Sequence, residues 1–430
     1  MIFILLTDVQ VMGFGYVNHR IGRTGAYYKP ARNTKLDDDH LGTNLGSTSK
    51  SQCESARPLR IAIAGLGLVG LRHAGAIRQV DGVELCAVAD PSADSRTRAA
   101  DEAVPHFNTL DELIDADRPD GIILATPTTL HAVQGRLCID ASIPVLIEKP
   151  LADNLAEGEA LVKHAEAANV PVMVGHHRRF NPIIQKAHAM ISEGRIGDVK
   201  SVHATCWFYK PDSYFDIAPW RKREGAGPVS VNLVHDIDLI RHLCGEIIQV
   251  QAQANPSSRG YDNEDVAAAL ITFTNGAIGT VSVSDSIVAP WSWEFTSREY
   301  PVYPFTGQSA YQIGGSQGSL SVPDLALWTH DQARDWWSPI SADIVDCDRS
   351  DPLINQIDHF ASVISGETTP QVSGREGLRT LAVIEAIQIA AKTGQTIQLA
   401  DRSGHKELAE FSRDSENSET NKPDKTNLAL

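Results

Sequence analysis

Hydrophobic and polar positions along the chain fall into two regimes. Up to about residue 178, short runs of consecutive apolar residues (60–64, 83–89, 121–125, 144–147 and 172–174) alternate with helical spacing at 69–80, 129–140 and 153–168. Strands that are apolar on successive residues bury both faces, and strands that alternate with helices build a parallel sheet covered on both sides. After about residue 179, apolar and polar side chains alternate one by one at 199–209, 247–254, 266–273 and 277–284. That period reads as antiparallel strands with one solvated face. Helical spacing accompanies them at 182–192, 229–244, 353–365 and 376–392. The predicted fold is α/β: a parallel-sheet domain over 58–178, then an α+β domain over 179–400 with a large, mainly antiparallel open sheet.

The two ends follow neither period. Residues 1–57 mix Gly, Ser, Thr and Asn with an Asp37-Asp38-Asp39 run, and 401–430 are rich in Ser, Glu, Asn, Asp and Lys. They read as a poorly ordered extension and a disordered tail. The apolar run at residues 1–6 meets Asp8 without a basic region or a cleavage signal, so no signal peptide is read. No stretch approaches the roughly 18 apolar residues of a spanning helix. A cytoplasmic protein without a membrane partner is expected.

The 38 Lys and Arg against 54 Asp and Glu leave a formal charge of −16. An acidic chain is a poor match for nucleic acid or an anionic membrane, both of which call for surplus Lys and Arg. The ends carry 7 basic and 5 acidic residues (1–57) and 5 basic and 7 acidic (401–430), so the whole charge belongs to the body between them. Basic residues near a cleft are therefore informative exceptions. The six cysteines have no C-x-x-C spacing and read as free thiols, and no His, Asp and Glu set has metal-ligand spacing. No metal is expected.

The first apolar run leads into Gly65-Leu66-Gly67-Leu68-Val69-Gly70 at a strand-to-helix junction. Glycine is needed three times for different reasons. Gly65 permits the tight turn, Gly67 lets a pyrophosphate approach the backbone, and Gly70 lets the helix pack on the sheet. The helix start, including Leu68 and Val69, then offers N–H groups and a positive dipole to the phosphates. Asp90 lies 20 residues after Gly70, at the end of the second run, where its carboxylate can accept from the adenosine ribose hydroxyls. These features predict a Rossmann domain. The same carboxylate disfavours a 2′-phosphate, so NAD is favoured, while Arg96 and Arg98 nearby keep NADP open.

In such a sheet, ligands bind beyond the carboxyl ends of the strands. Three of those ends carry polar chemistry: Thr126-Pro127 with His131 one turn on, Glu148-Lys149-Pro150, and Gly175-His176-His177-Arg178-Arg179. A lysine leaving an apolar strand beside a nicotinamide could polarise a carbonyl or hold an alkoxide.

With Gly225-Ala226-Gly227 followed by His235 and Asp238, these motifs resemble the Gfo/Idh/MocA oxidoreductase family over about residues 58–400. This family includes glucose–fructose oxidoreductase and inositol dehydrogenases. The resemblance implies a Rossmann domain and a C-terminal α/β domain whose open sheet often mediates homo-oligomers. It also implies that Lys149 and His235 stand at the hydride-transfer site and that the Lys149–Pro150 bond is often cis; Thr126, Pro127, His131 and Glu148, at the strand ends, read as cofactor-binding residues. Members commonly carry an aspartate four residues before the histidine; Val231 stands there in this chain. Asn232 follows, and on a helix it shares a face with His235, so it either meets the substrate in place of that carboxylate or bonds to backbone. His235, which titrates near neutrality, is the expected general base, and Asp238 an orienting group. His176, His177, His188 and His242 read as structural or solvated.

Aromatic and basic residues at Trp207-Phe208-Tyr209-Lys210, Tyr214-Phe215 and Trp220-Arg221 precede the glycine turn. Trp207 and Phe208 read as core, whereas Trp220 and Arg221, with Arg179, are candidates to stack on a sugar and bind a carboxylate. The Gly-His-His-Arg-Arg and Val-Asn-Leu-Val-His-Asp-Ile-Asp segments are similar to quinate-utilisation members of the family. The expectation is an NAD-dependent dehydrogenase acting on a sugar, polyol or cyclic hydroxy acid. Two alternatives stay open: a glycosidase-like enzyme that retains NAD through a net non-redox reaction, and a non-catalytic regulator such as the galactose-pathway corepressor.

Overall fold

The computed structural model describes residues 57–399. The extension expected over 1–57, Arg57 apart, and the tail expected over 401–430 lie outside the described residues.

The first module runs β1 (Leu59–Ala64), α1 (Leu68–Ile77), β2 (Val83–Ala89), α2 (Ala93–Asp101), β3 (His106–Phe107), α3 (Leu110–Ala116), β4 (Gly121–Leu124), α4 (Thr128–Asp140), β5 (Val145–Ile147), α5 (Leu155–Ala168) and β6 (Val172–Val174). Its six strands are all parallel, in the order β3-β2-β1-β4-β5-β6. The apolar runs explain this arrangement: residues 61–64, 122–124, 145–147 and 172–174 are buried on both faces of the sheet. The strand order reverses between β1 and β4, which opens a crevice beyond their carboxyl ends.

The chain leaves β6 through a short helical turn (His177–Phe180) and α6 (Pro182–Ser192). The second module contains β7 (Val199–Trp207), α7 (Asp212–Asp216), a π-helical turn (Val229–Leu233), α8 (Val234–Cys244), β8 (Ile247–Pro256), β9 (Glu264–Phe273) and β10 (Ile278–Ser284). After α9 (Trp293–Thr296) come β11 (Tyr311–Gly315), β12 (Ser319–Val322), β13 (Ala326–His330) and β14 (Ile340–Ile344). The chain then forms α10 (Pro352–Ile364), α11 (Gly374–Thr393) and β15 (Ile397–Gln398). The nine strands order as β14-β13-β12-β11-β7-β10-β9-β8-β15, antiparallel except for β7 with β10. In β9 the buried positions Asp265, Ala267, Ala269, Ile271 and Phe273 alternate with more exposed ones, the expected signature of a sheet covered on one face.

The last helices return to the first module. Leu353, Ile357 and Phe360 of α10, and Leu378 of α11, join the core of the six-stranded sheet. Further along α11, Ala382 to Ala390 join the core of the nine-stranded sheet. One helix thus packs into both cores. Four cysteines (Cys86, Cys138, Cys206, Cys244) are buried free thiols and Cys347 is partly exposed. Among the described residues no helix is long and apolar enough to cross a membrane, and no cluster of His, Cys, Asp or Glu is disposed to hold a metal ion.

Candidate active site

The turn between β1 and α1 separates what the fold needs from what it leaves open. Gly65 has φ +87°, and a β-carbon there would stand 2.6 Å from the Ala125 carbonyl oxygen. At Gly70 a β-carbon would lie 2.0 Å from the Gly65 oxygen, so helix and turn touch backbone to backbone. At Gly67 nothing lies within 4 Å. Protein packing requires glycine at 65 and 70, whereas at 67 the space stays open for a ligand.

Helix capping points to the same crevice. The side chains of Ser92, Thr109 and Asn154 cap α2, α3 and α5. Helices α1 and α4, which start at Gly67 and Pro127 on either side of the crevice, have no side-chain cap. Their first N–H groups, including those of the exposed Leu68 and Val69, remain for an anion. At the end of β2, the Asp90 carboxylate accepts from the backbone N–H of Leu66 and of Ser92, both at 2.8 Å. Partial burial pushes this carboxyl up, but the hydrogen bonds outweigh it and its pKa falls below the usual value. It is ionised and keeps lone pairs for hydroxyl donors. Arg98 donates to the Leu66 carbonyl at 2.8 Å and braces the turn, and Arg96 donates to Asn108 at 3.3 Å. These residues fit NAD: its phosphates would meet uncapped helix N-termini at Gly67, and its adenosine ribose would meet Asp90.

At the end of β4, Thr126 donates to Gln134 (2.6 Å) and Pro127 opens α4. His131 is buried behind this loop, its two ring nitrogens each 2.9 Å from a carbonyl oxygen, those of Pro150 and Thr126. It therefore ties the two loops together from behind.

Strand β5 delivers Glu148 and Lys149, and the Lys149–Pro150 peptide is cis. Glu148 is held by His73 of α1 at 2.8 Å and accepts the Lys149 backbone N–H at 3.1 Å. Burial raises this carboxyl, but the His73 hydrogen bond and the charges of His177 and Lys149 bring it down to about 2. The Lys149 ammonium donates to the Val231 carbonyl at 3.4 Å. Burial lowers its pKa, and Glu148 opposes that.

Val231 belongs to the π-helical turn that leads into α8, where the sequence pattern suggested one α-helix over 229–244. The wider turn alters the phase between Asn232 and His235, yet both are buried, and Asn232 Oδ1 and His235 Nδ1 lack a hydrogen-bond partner. The rings of His176 and His177 meet His235 edge-on, with centroids at 6.4 and 5.6 Å. Burial holds His235 well below the ordinary imidazole pKa, and the positive charges of Lys149 and Arg178 lower it further.

The sequence reads His176 and His177 as structural or solvated, but the chain leaving β6 brings both beside His235. His177 bonds Glu299 at 3.1 Å, and Glu299 also accepts from Asn181 (2.9 Å) and Trp293 (3.0 Å). Arg178 reaches Glu294 at 2.7 Å and lies 3.7 Å from Asp236, whose carboxyl bonds Tyr311 and is raised to about 6 by burial. Arg179 makes a two-pronged pair with Asp238 (2.8 and 2.7 Å) and reaches Glu376 at 3.1 Å, so its guanidinium is committed to protein. Thr380 also donates to Asp238, at 3.0 Å. Trp220 is half exposed, and the Arg221 guanidinium lies 4.0 Å from the Tyr214 ring centre and donates to the Tyr214 carbonyl at 2.7 Å. Trp207 donates to Ser282 at 2.9 Å. His73, Glu294 and Glu299 carry no local signal, because their partners are 75, 116 and 122 residues away in sequence.

Residues 59–176 match the model of an oxidoreductase family with an NAD-binding Rossmann fold, and 184–321 match the Gfo/Idh/MocA C-terminal domain. The chain is 26% identical to a D-apiose dehydrogenase of Paraburkholderia graminis, over 83% of this chain and 95% of that one. It is 31% identical to a 4-carboxy-2-hydroxymuconate-6-semialdehyde dehydrogenase of Sphingobium, over 53% of this chain and 72% of the relative. Among solved structures, the WlbA dehydrogenase of Bordetella pertussis, in complex with NADH and UDP-GlcNAcA, superposes with a TM-score of 0.65 at 26% identity, covering 80% of this chain and 99% of that one.

Proposed function

The chain belongs to the Gfo/Idh/MocA oxidoreductase family, with an NAD-binding N-terminal module, and from that premise we propose that it oxidises a secondary alcohol of a sugar, cyclitol or cyclic hydroxy acid, or reduces the corresponding ketone. NAD, when bound, supplies the hydride acceptor. Gly67, the uncapped starts of α1 and α4, and Asp90 would hold it.

The observation that carries the reading is the meeting of Lys149 and His235 from two modules. Lys149 comes from a parallel strand end and bonds the Val231 carbonyl, one helical turn before His235. In this reading the ammonium donates to the reacting oxygen and favours its alkoxide character as the carbinol O–H weakens. His235 takes the proton of that hydroxyl, and returns it in the reverse direction. Being neutral, with an unpartnered Nδ1, it has the protonation state a base needs. Asn232 stands where its carboxamide oxygen can accept from a neighbouring hydroxyl, a role that suits a polyol. Relatives named for apiose and inositol dehydrogenation support that substrate class.

A panel of sugars, cyclitols and hydroxy acids, read by NADH absorbance with NAD and NADP in parallel, tests the proposal. Turnover with NAD that falls by about 10²–10³-fold in Lys149→Met supports it; tight NAD binding without turnover of any member defeats it. We assign self-association to the open face of the nine-stranded sheet, where Leu270 and Ile278 are exposed on neighbouring strands. Light scattering of the wild type and of Leu270→Glu checks this assignment.

A further inference from the structure

A second lysine is buried in the second module. Lys210 follows β7 at the start of the loop that carries Tyr214 and Arg221, and it is only 5% exposed. Its nearest carboxylate, Asp285, stands 3.7 Å away, beyond hydrogen-bond length. Asp285 is already bonded by Arg259, at 3.0 Å through its side chain and at 2.9 Å through its carbonyl. Arg259 also holds the Lys210 carbonyl at 2.9 Å, which fixes the lysine backbone. Buried Lys210 therefore shares its acid with the partly buried Arg259, which has the better geometry and also lies 3.4 Å from Asp212.

A buried ammonium that must share its one close carboxylate is incompletely compensated, and an anionic ligand would complete the compensation. The surroundings suit such a ligand. The Lys210 nitrogen lies 4.9 Å from the centre of the Tyr214 ring, and Arg221 lies 4.0 Å from the same centre. Arg221 Nε is itself buried without a hydrogen-bond partner. The loop is tied to the turn that meets Lys149: Asn263 donates to the Arg221 carbonyl at 3.0 Å, its neighbour Glu264 accepts the Val229 N–H at 3.0 Å, and Val229 opens the turn whose Val231 carbonyl accepts from Lys149. Lys149 has only the 3.4 Å bond to Val231, since Glu148 is engaged by His73. The other acids nearby are engaged elsewhere, Glu294 by Arg178 and Glu264 by the Val229 N–H, which leaves Lys149 and Lys210 as incompletely paired lysines in a body with a net charge of −16.

We propose that Lys210, with Arg221, is an anion subsite of the candidate active site, and that the molecule oxidised here is a polyol or hydroxy acid carrying a carboxylate. The inference rests on the oxidoreductase reading above and adds the substrate's charge to it. One end of the substrate is anchored by Lys210 and Arg221 while its hydroxyl is presented to Lys149 and His235. A phosphate would meet the same donors, so the test separates the two anions.

NAD-loaded full-length protein is assayed on matched compounds: D-glucuronate, D-glucose 6-phosphate and D-glucose, and quinate beside myo-inositol. NADH formation and calorimetric binding are both recorded. The expected result is that carboxylates bind about tenfold or more tightly than their neutral partners. In Lys210→Met that advantage is lost as a rise in KM or Kd with kcat nearly kept, and Lys210→Arg, which retains the charge, restores most of it. Equal binding of acid and neutral partners, or equal losses for both in Lys210→Met, overturns the subsite. A preference for glucose 6-phosphate over glucuronate overturns the carboxylate assignment. Carboxylates that bind through Lys210 without forming NADH uphold the subsite and count against the redox reading instead.

Discussion

The Lys149 ammonium donates to the main-chain carbonyl of Val231, 3.4 Å away and 82 residues distant in sequence. The contact joins a strand end of the parallel sheet to the π-helical turn that carries Asn232 and leads into His235. Position 231 thus meets Lys149 through its backbone carbonyl rather than its side chain. Replacing Lys149 by Met should leave NAD binding, read by fluorescence titration, close to wild type. It should lower kcat by about 10²–10³-fold, the usual loss on removing one donor to a developing oxyanion.

His235 is held neutral by burial and by the cations around it, and this sets its pH behaviour. As the proposed base it is competent while unprotonated, and its pKa lies below the ordinary imidazole value. The acid limb of kcat/KM should therefore fall below pH 6.5 rather than at it. His235→Asn should cost about 10²–10⁴-fold in kcat and abolish that limb. In Lys149→Met, with one neighbouring charge gone, the His235 resonance followed by NMR should titrate at a higher pH than in wild type.

The cofactor turn offers a contrast between two glycines three residues apart. Gly67→Ala places its methyl in open space, so the thermal midpoint should stay within about 2 °C of wild type. NAD affinity should nevertheless fall by tenfold or more, because the methyl occupies the approach of the pyrophosphate. Gly70→Ala drives its methyl against the Gly65 carbonyl and should lower the midpoint by several degrees. Differential scanning calorimetry with and without NAD separates the two effects.

His176 links folding to pH. Burial lowers its pKa to about 4, even with Asp238 at 3.9 Å opposing the shift. Between about pH 6.5 and 4 the unfolded chain binds this proton and the folded chain does not, so the stabilising contribution is complete above 6.5 and is lost as the pH falls. Asp236, raised to about 6, acts in the opposite direction over much of the same range, so the comparison is made between variants. His176→Gln should lose less stability than wild type between pH 6.5 and 4 in urea melts. An equal slope for the two proteins would remove His176 from the account.

Local pattern determined the part of this protein that local physics governs. Continuous apolar runs alternating with helices mark strands covered on both faces, and period two marks a sheet with one open face, so five of the six parallel strands and the long strands β7 to β10 were legible, whereas β3 and β11 to β15 were not. The glycine turn, Asp90 and the strand-end lysine announce a dinucleotide crevice because each needs its residue type at a fixed spacing. Tertiary structure decided what lies far apart in sequence. It withdrew Arg179 to Asp238 and Glu376, placed His131 behind its loop, and brought His177 with Glu299 to the edge of His235. It also widened the turn before α8 and set Lys210 beside an acid already held by Arg259. The physical reason is that a charged side chain acquires its role from the burial and partners supplied by distant segments, and those exist only once the two sheets and the helix packed into both of their cores have come together.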